Sequence, residues 1–155
     1  MLSPLVPFAA GVAALLVSGV FLSFSDFVIR GIAQAPIRAG AAAMQGLNRT
    51  VYRSLFMVLL IGLLPVSLLL AGAGLAGALP HAPLLIAAAL TYVLGVAVVT
   101  GRGNVPMNHR LDAMSATGSE AQAYWPRYAR DWTRLNHIRT AAAALSGLLW
   151  LLAAR

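Results

Sequence analysis

Long apolar stretches alternate with short polar segments along the chain. Residues 1–25 contain no charged side chain, and residues 54–101 contain no Arg, Lys, Asp or Glu. Glycines, prolines and one histidine interrupt the second stretch between residues 72 and 83. Because about 20 apolar residues cross a hydrocarbon core of ~30 Å, the pattern predicts spans at about 4–25, 50–77 and 83–101, the last two joined by a tight hairpin.

A further apolar stretch near the C-terminus is too short to cross a membrane by itself. Only 15 uncharged residues separate Arg139 from Arg155, and at ~1.5 Å each they cover roughly 22 Å. The helix must therefore enter the membrane upstream, and a fourth span at about 134–154 brings Asn136 and His137 to membrane depth or its edge. We expect an all-α fold, a four-helix transmembrane bundle with cytoplasmic helical extensions, in one domain over residues 1–155.

The arginines predict how the chain is oriented. Four of them lie between the apolar stretches 1–25 and 54–101, and the others, apart from Arg155, lie from Arg102 to Arg139. The positive-inside rule places these segments in the cytoplasm and both termini outside. We expect an integral protein of the bacterial inner (plasma) membrane, with the lipid bilayer as its main partner.

Composition removes several classes of function. The chain is 60% hydrophobic and 10% charged, against about 25% charged residues in soluble proteins, so neither a soluble domain nor a disordered chain fits. The net charge of +7 is explained by lipid headgroups, and we expect no nucleic acid partner. The absence of cysteine excludes thiolate chemistry. The three histidines are too scattered to predict a metal site.

In two polar segments, helical spacing places several polar side chains on one face. Pro36 opens a predicted helix that continues into the second span, and Gln45, Asn48, Arg49 and Tyr52 fall on one face of it. A solvated surface explains that face equally well. After the third span, Asn104 and Asn108 lie one turn apart if the chain is helical, and their amides can both donate and accept.

A single helix is also predicted from Pro126 to Ala154. Trp125, directly before this helix, continues a stripe along it that contains Tyr128, Trp132, Asn136 and Arg139. Interfacial anchoring is the more common role for Trp and Tyr at this depth, ahead of stacking on a substrate.

Asp26 ends the first apolar stretch and has two interpretations. It can pair on the surface with Arg30, four residues later. Alternatively, it faces inward toward Asn48, Asn108 and Arg139, since an acid near the membrane is costly without a partner.

Several of these motifs together resemble a known family. They are Phe24-Ser-Asp-Phe-Val, Ala43-Met-Gln-Gly-Leu-Asn, Asn104-Val-Pro-Met-Asn-His-Arg-Leu, Trp125-x-x-Tyr and Trp132-Thr-Arg-Leu-Asn-His-Ile-Arg-Thr. In order and spacing the chain resembles the anthrone oxygenase-like family of small four-span membrane proteins, most of which have no assigned function. The resemblance covers nearly the whole chain.

The resemblance implies an activity and a set of site residues. Family enzymes oxidise an anthrone to an anthraquinone with O₂, without a metal or flavin cofactor, because the substrate anion supplies the electrons. The protein then needs a base, donors for an oxyanion and an apolar pocket. His137 or Asp26 is the expected base. The expected oxyanion donors are Asn48, Asn108, Asn136 and Arg139, and the expected substrate contacts are Gln45, Asn104, Trp125 and Trp132.

A competing hypothesis is a non-catalytic membrane protein in which the same residues tie helix ends together. A transporter or channel has little support, because no span carries a charge near its centre. An apolar cavity beside Asn108 and Asn136 would favour an enzyme, whereas a closed, fully paired cluster would favour a structural role. The sequence leaves the substrate and any homo-oligomer open.

Overall fold

The computed structural model describes residues 3–35 and 37–155. These residues form five helices and no strand, which confirms the all-helical prediction. The helices are α1 (Leu5–Gln34), α2 (Ile37–Val51), α3 (Leu55–Leu75), α4 (Ala82–Asp112) and α5 (Ser119–Ala153).

Three of the helices, α1, α3 and α4, are long and apolar enough to cross a membrane. Their exposed faces carry large apolar side chains, such as Leu16, Leu69 and Leu94. Such residues are poorly suited to water and well suited to lipid, so the helices are compatible with an integral membrane protein. The N-terminal half of α5 is polar and its C-terminal half is apolar.

The most extensive helix contact joins α1 and α5. At their crossing a Cβ atom on Gly11 would lie 2.9 Å from the carbonyl oxygen of Gly147. Two turns further along α1, the Ser18 hydroxyl donates to the Thr140 carbonyl oxygen over 2.9 Å. Small residues at such a crossing allow the backbones to approach closely.

The interior consists of two apolar clusters at different levels. The first lies among the four long helices and includes Val17, Phe21, Leu60, Tyr92 and Trp150. The second lies where α2 covers the ends of α1 and α4 and the start of α5. It contains Ile29, Ala41, Met44, Leu111, Ala121, Trp125, Tyr128 and Trp132.

The junction between α2 and α3 differs from the sequence prediction. A single helix continuing from residue 36 into the second span was expected, but α2 ends at Val51 and α3 begins at Leu55. Ser54 adopts an extended backbone, and its Oγ accepts a hydrogen bond from the Met57 N–H over 3.3 Å, which caps α3. The predicted helix-opening role of Pro36 lies outside the described residues.

The start of α5 also differs. A helix beginning at Pro126 was expected, but α5 begins at Ser119 after Gly118, and Pro126 lies inside it. Pro126 has no N–H group to donate to the helix. It is exposed, so the carbonyl group left without this donor lies near the surface, where water can donate a hydrogen bond to it.

Three turns of the long helices are π-helical, with one more residue per turn than the α-helix around them. They are Phe24–Val28 in α1, and Val93–Val98 and Thr100–Asn104 in α4. A Cβ on Gly95, within the second of these turns, would overlap the Cβ of Ala142 in α5. Such turns are rare and are frequent at functional sites.

Candidate functional site

A cavity of about 600 Å³ lies where the two apolar clusters meet, and all five helices contribute to its wall. Most of the wall is apolar, with Phe21, Phe24, Phe56 and Leu60 among the larger contributors. Its polar side chains come mainly from α2, α4 and α5. They are Asn48, Tyr52, Thr100, Asn104, Asn108, His109, Trp132 and Arg139.

Arg139 is the charged group inside this wall. It is 5% exposed, and within the described part of the chain it forms no ion pair with a carboxylate. Its guanidinium carbon lies 4.3 Å from the ring centre of Phe21 and 5.1 Å from that of Trp132. These aromatic faces compensate part of the cost of burying the charge, but they leave it without a counter-ion.

Asn136 positions the arginine. Its side-chain oxygen accepts a hydrogen bond from Arg139 Nη2 over 2.6 Å. Its Nδ2 donates to the Phe21 carbonyl oxygen over 2.6 Å and to Ser25 Oγ in α1. Asn136 is fully buried and is not part of the cavity wall. It therefore holds the guanidinium against α1 and does not itself face a ligand.

Two polar atoms of this region have no partner among the described residues. They are Oδ1 of Asn104 and Nε of Arg139. Asn104 uses its Nδ2 to donate to the Trp132 carbonyl oxygen over 3.2 Å. A buried polar atom without a hydrogen bond is costly, and both residues line the cavity. Both atoms are themselves fully buried, so the two residues reach the cavity through their other atoms.

Asn108 is fixed by the aromatic stripe of α5. Its Oδ1 accepts from the Tyr128 hydroxyl over 2.8 Å and from Trp132 Nε1 over 3.0 Å. Asn48 Nδ2 donates to the Tyr128 oxygen over 3.3 Å. With its oxygen occupied by two donors, Asn108 presents its NH₂ group as the part available to a ligand.

The Tyr128 hydroxyl is a donor in this network and not a base. Burial raises the pKa of its phenol well above the usual range, an effect that the Asn48 hydrogen bond opposes only in part. The ring stacks between Trp125 and Trp132, at centroid distances of 5.8 Å and 6.4 Å. The phenol therefore stays protonated at neutral pH and keeps Asn108 oriented.

A second, smaller pocket of about 230 Å³ adjoins the cavity. Its wall includes the ion pair between Arg49 and Asp112, which are 2.7 Å apart and largely exposed. It shares Asn48, Tyr52, Asn108 and His109 with the larger cavity. The two spaces thus meet at the end of α2, one mostly apolar and the other polar.

Five of the ten residues singled out from the sequence meet in the cavity wall: Asn48, Asn104, Asn108, Trp132 and Arg139. The stripe predicted on α5 is confirmed, because all five of its residues are buried. The solvated face proposed for α2 is not found at Gln45 and Asn48, which are 4% and 8% exposed. The interfacial role suggested for Trp125 is likewise not found, since the ring is buried against Gly40.

The other five residues lie away from the cavity wall. Gln45 donates to the carbonyl oxygens of Leu111 and Met114 and so ties α2 to the end of α4. Trp125 and Asn136 are buried supports. Asp26 and His137, the two expected bases, are both exposed and line neither pocket. Within the described residues Asp26 also forms no ion pair, so neither of its predicted partners is found.

Sequence reasoning missed Thr100, His109 and Phe21 as parts of the wall. Thr100 precedes Asn104 and Asn108 at a spacing of four residues, so helical periodicity alone would have placed it on the same face. Its Oγ1 lies 3.5 Å from Arg139 Nη1. His109 follows Asn108 directly and was considered only as a metal ligand. No cluster of three metal-ligating side chains occurs in the described part of the chain.

This arrangement is suited to one kind of ligand. An apolar cavity with aromatic walls accommodates a flat hydrophobic molecule. The guanidinium of Arg139, which has no carboxylate partner among the described residues, favours a negatively charged oxygen on it, in surroundings where water screens little.

Comparisons with known proteins add one finding. Residues 49–149 match a family model described as anthrone oxygenase. The match contains α3, α4 and most of α5, with Asn104, Asn108, Trp132 and Arg139, whereas α1 and nearly all of α2 lie before it. No curated protein and no solved structure matches the chain.

Proposed function

The chain belongs to the anthrone oxygenase family, and on that premise we propose that it is a membrane enzyme that oxygenates anthrone-like aromatic compounds with O₂. One observation carries the proposal. Arg139 is buried without a carboxylate partner in the wall of an apolar cavity of about 600 Å³. A buried cation with a purely structural role usually has a counter-ion. In a binding site the ligand takes the place of that counter-ion.

The cavity suits a flat, fused aromatic substrate. Sites for small molecules commonly enclose about 300–1,000 Å³, and this volume accommodates a three-ring system. Phe21 and Trp132 offer aromatic surface beside the guanidinium. In the proposed pose the carbonyl oxygen on the central ring of the substrate points toward Arg139, and the reacting methylene carbon lies on the opposite side of that ring.

The proposed reaction balances without an added cofactor. A base removes one methylene proton, and the electron pair of the C–H bond delocalises onto the carbonyl oxygen of the central ring. The anion transfers electrons to O₂, and a carbon–oxygen bond forms to give a hydroperoxide. Loss of the second methylene hydrogen with cleavage of the O–O bond gives a carbonyl group and one water molecule. O₂ is thus reduced by the substrate, one oxygen atom entering the quinone and the other leaving as water.

Arg139 contributes electrostatically to the first step. It is a cation in a region of low dielectric, and charge develops on the substrate oxygen as the proton departs. Preorganised donors of this kind typically contribute 10²–10³-fold in rate. Asn136 and Thr100 hold the guanidinium before the substrate binds, so little reorganisation accompanies the reaction.

The alternative of a non-catalytic protein accounts for part of the polar cluster. Gln45 and Asn136 are buried, paired and outside the cavity wall, as that alternative requires. It leaves unexplained why the charge of Arg139 is buried beside an apolar cavity without a carboxylate partner in the described part of the chain. Ligand binding therefore accounts for more of the cluster than a structural role does.

The proposal includes a fourth membrane span in α5. This helix has 35 residues and is therefore about 52 Å long, well beyond the ~30 Å core. Its apolar half packs along α1, and the polar side chains of Asn136 and Arg139 face protein rather than lipid. With four spans, the Arg-rich segments lie on the cytoplasmic side of the bacterial inner membrane and the α3–α4 turn lies outside.

Oxygen consumption tests the proposed activity. Detergent-purified protein is mixed with a panel of anthrones, with and without a chelator, and O₂ uptake and quinone absorbance are followed. We expect uptake above the spontaneous rate that survives chelation, and a loss of 10²–10³-fold in Arg139→Met. Arg134→Met, a change at an exposed residue of the same helix, serves as the matched control. A folded wild-type protein that gives only the spontaneous rate with every anthrone would refute the proposal.

A further inference from the structure

The boundary between the two pockets is formed by four shared side chains. These are Asn48, Tyr52, Asn108 and His109. On one side lies the apolar cavity, and on the other a polar pocket whose ion pair, Arg49 and Asp112, is 65% and 43% exposed. Water reaches the second pocket, whereas the first is suited to the substrate. These four residues therefore lie between the proposed substrate space and a pocket that water reaches.

Only one of the four has the chemistry of a base at neutral pH. Carboxamides such as Asn48 and Asn108 do not accept protons there, and the phenol of a tyrosine such as Tyr52 is protonated. Imidazole accepts and releases protons near neutrality and is the most common general base in enzymes. His109 also makes no side-chain hydrogen bond within the described part of the chain, so its ring is not committed elsewhere.

The bases expected from the sequence do not share this position. Asp26 and His137 are exposed and line neither the cavity nor the polar pocket. In this structure neither residue is placed to contact a substrate carbon inside the cavity, whereas a general base acts within hydrogen-bonding reach of the proton it removes.

We propose that His109 is the general base that removes the methylene proton and passes it to water in the polar pocket. This inference rests on the proposed oxygenase function. The C–H bond breaks, its electron pair stays with the substrate and is stabilised at the oxygen facing Arg139, and the proton goes to a ring nitrogen of His109. The imidazolium then releases the proton to water. Asp112, three residues later on the same helix, lines the same pocket as His109, and its ion pair with Arg49 reduces its attraction for the imidazolium.

An anaerobic experiment isolates this step from the chemistry of O₂. Anthrone is mixed with the protein without oxygen, and the absorbance of its coloured anion is followed in the stopped flow. We expect the wild-type protein to form the anion and His109→Gln to form it 10²–10⁴-fold more slowly, the usual contribution of a general base. His81→Gln, in the exposed α3–α4 turn, is the matched control and should behave as wild type. Added imidazole should restore part of the rate in His109→Gln.

The pH dependence supplies a second readout. The titratable or charged groups that line the two pockets with His109 are Arg49, Tyr52, Asp112 and Arg139. If His109 is the base, the rate of anion formation rises with pH along an acidic limb that His109→Gln lacks and Asp112→Asn retains. Thermal unfolding of each variant shows whether it is folded; since His109 is exposed, its replacement should leave the melting temperature within a few degrees of wild type.

The outcomes separate this inference from the function on which it rests. If the wild-type protein forms neither the anion nor, with O₂, the quinone, the oxygenase function fails and the assignment of His109 fails with it. If the wild type is active and His109→Gln forms the anion at the same rate with the same acidic limb, His109 is not the base and the oxygenase function stands. Loss of the anion in His137→Gln, with His109→Gln unaffected, would also overturn the assignment.

Discussion

Arg139 donates a hydrogen bond over 2.6 Å to the side-chain oxygen of Asn136, the residue one helical turn before it in α5. The orienting partner is a neutral amide, which in turn is held by Phe21 and Ser25 of α1. A carboxylate at this position would orient the guanidinium equally well and would cancel its charge. The pairing with Asn136 therefore fixes the direction of the cation while leaving its charge available to a ligand.

The first prediction concerns the stability of Arg139→Met. Removing a buried charge that has no counter-ion abolishes its desolvation cost, and methionine fills similar apolar space. We expect the melting temperature in detergent to stay the same or rise, while oxygenation falls. Such a trade between stability and activity is typical of binding sites. A loss of 3 kcal/mol or more would instead indicate that the arginine mainly holds the helices together.

The second prediction concerns Asn136→Asp. This change keeps the shape of the side chain and places a carboxylate 2.6 Å from the guanidinium, where the amide oxygen now lies. The ion pair should neutralise Arg139 and reduce oxygen uptake at least tenfold, because the cation no longer favours the substrate anion. The variant also loses the donor to Phe21, so Asn136→Ala is the control for that effect. If Asn136→Asp keeps full activity, the charge of Arg139 is not used in the reaction.

The third prediction is a pH dependence of stability due to Tyr128. Burial raises the pKa of the folded phenol, whereas the unfolded phenol titrates near pH 10. The unfolded chain therefore loses this proton first, and the contribution of Tyr128, complete below pH ~10, falls by about 1.4 kcal/mol per pH unit above it. Unfolding of wild type and Tyr128→Phe between pH 8 and about 11.5 should show their difference shrinking only above pH ~10. A constant difference would contradict this.

The fourth prediction concerns the contact between α4 and α5. A methyl group on Gly95 would overlap the Cβ of Ala142, whereas a Cβ on Gly19 or Gly62 meets no atom within 4 Å. Gly95→Ala should therefore cost about 1–3 kcal/mol through overpacking. Gly19→Ala and Gly62→Ala, which add the same methyl group to exposed helix positions, should be neutral or slightly stabilising. Equal melting temperatures for all three variants would show that the α4–α5 contact has room for an added methyl group.

The fifth prediction concerns membrane topology. Since the chain contains no cysteine, single cysteines report their own accessibility to an impermeant maleimide without background. His81→Cys should react in intact cells, and Ser115→Cys only after the membrane is opened. Arg155→Cys decides whether α5 crosses: it should react like His81→Cys if it does. Reaction of Arg155→Cys only after permeabilisation would leave three spans.

Sequence periodicity predicted the parts of the site that lie on regular helix. The stripe on α5 that ends at Arg139 follows from the 3.6-residue repeat, and all five of its residues are buried as expected. The all-helical fold follows from the lengths of the apolar stretches, which only helices can satisfy in a chain of this pattern.

Periodicity failed where the backbone departs from the regular helix. The sequence left the direction of Asp26 open between the surface and the interior; it lies inside the π-helical turn Phe24–Val28, where Ser25 is buried and Asp26 exposed. The break at Ser54 was missed because no glycine or proline marks it. The place of His109 depends on where α2 ends beside α4, a tertiary contact that spacing along one helix does not contain.

The π-helical turns of α4 also determine the direction in which the side chains after them point. Each contains an extra residue compared with an α-helical turn, and one residue corresponds to about 100° of rotation about a helix axis. Deleting a single residue from Val93–Val98 would let that stretch relax to an ordinary helix and would turn Asn104, Asn108 and His109 together by about 100°, away from Trp132 and Arg139. The number of residues in this stretch, as well as their identity, thus determines whether the cavity has a polar wall, and a one-residue deletion there should be far more damaging than any single substitution.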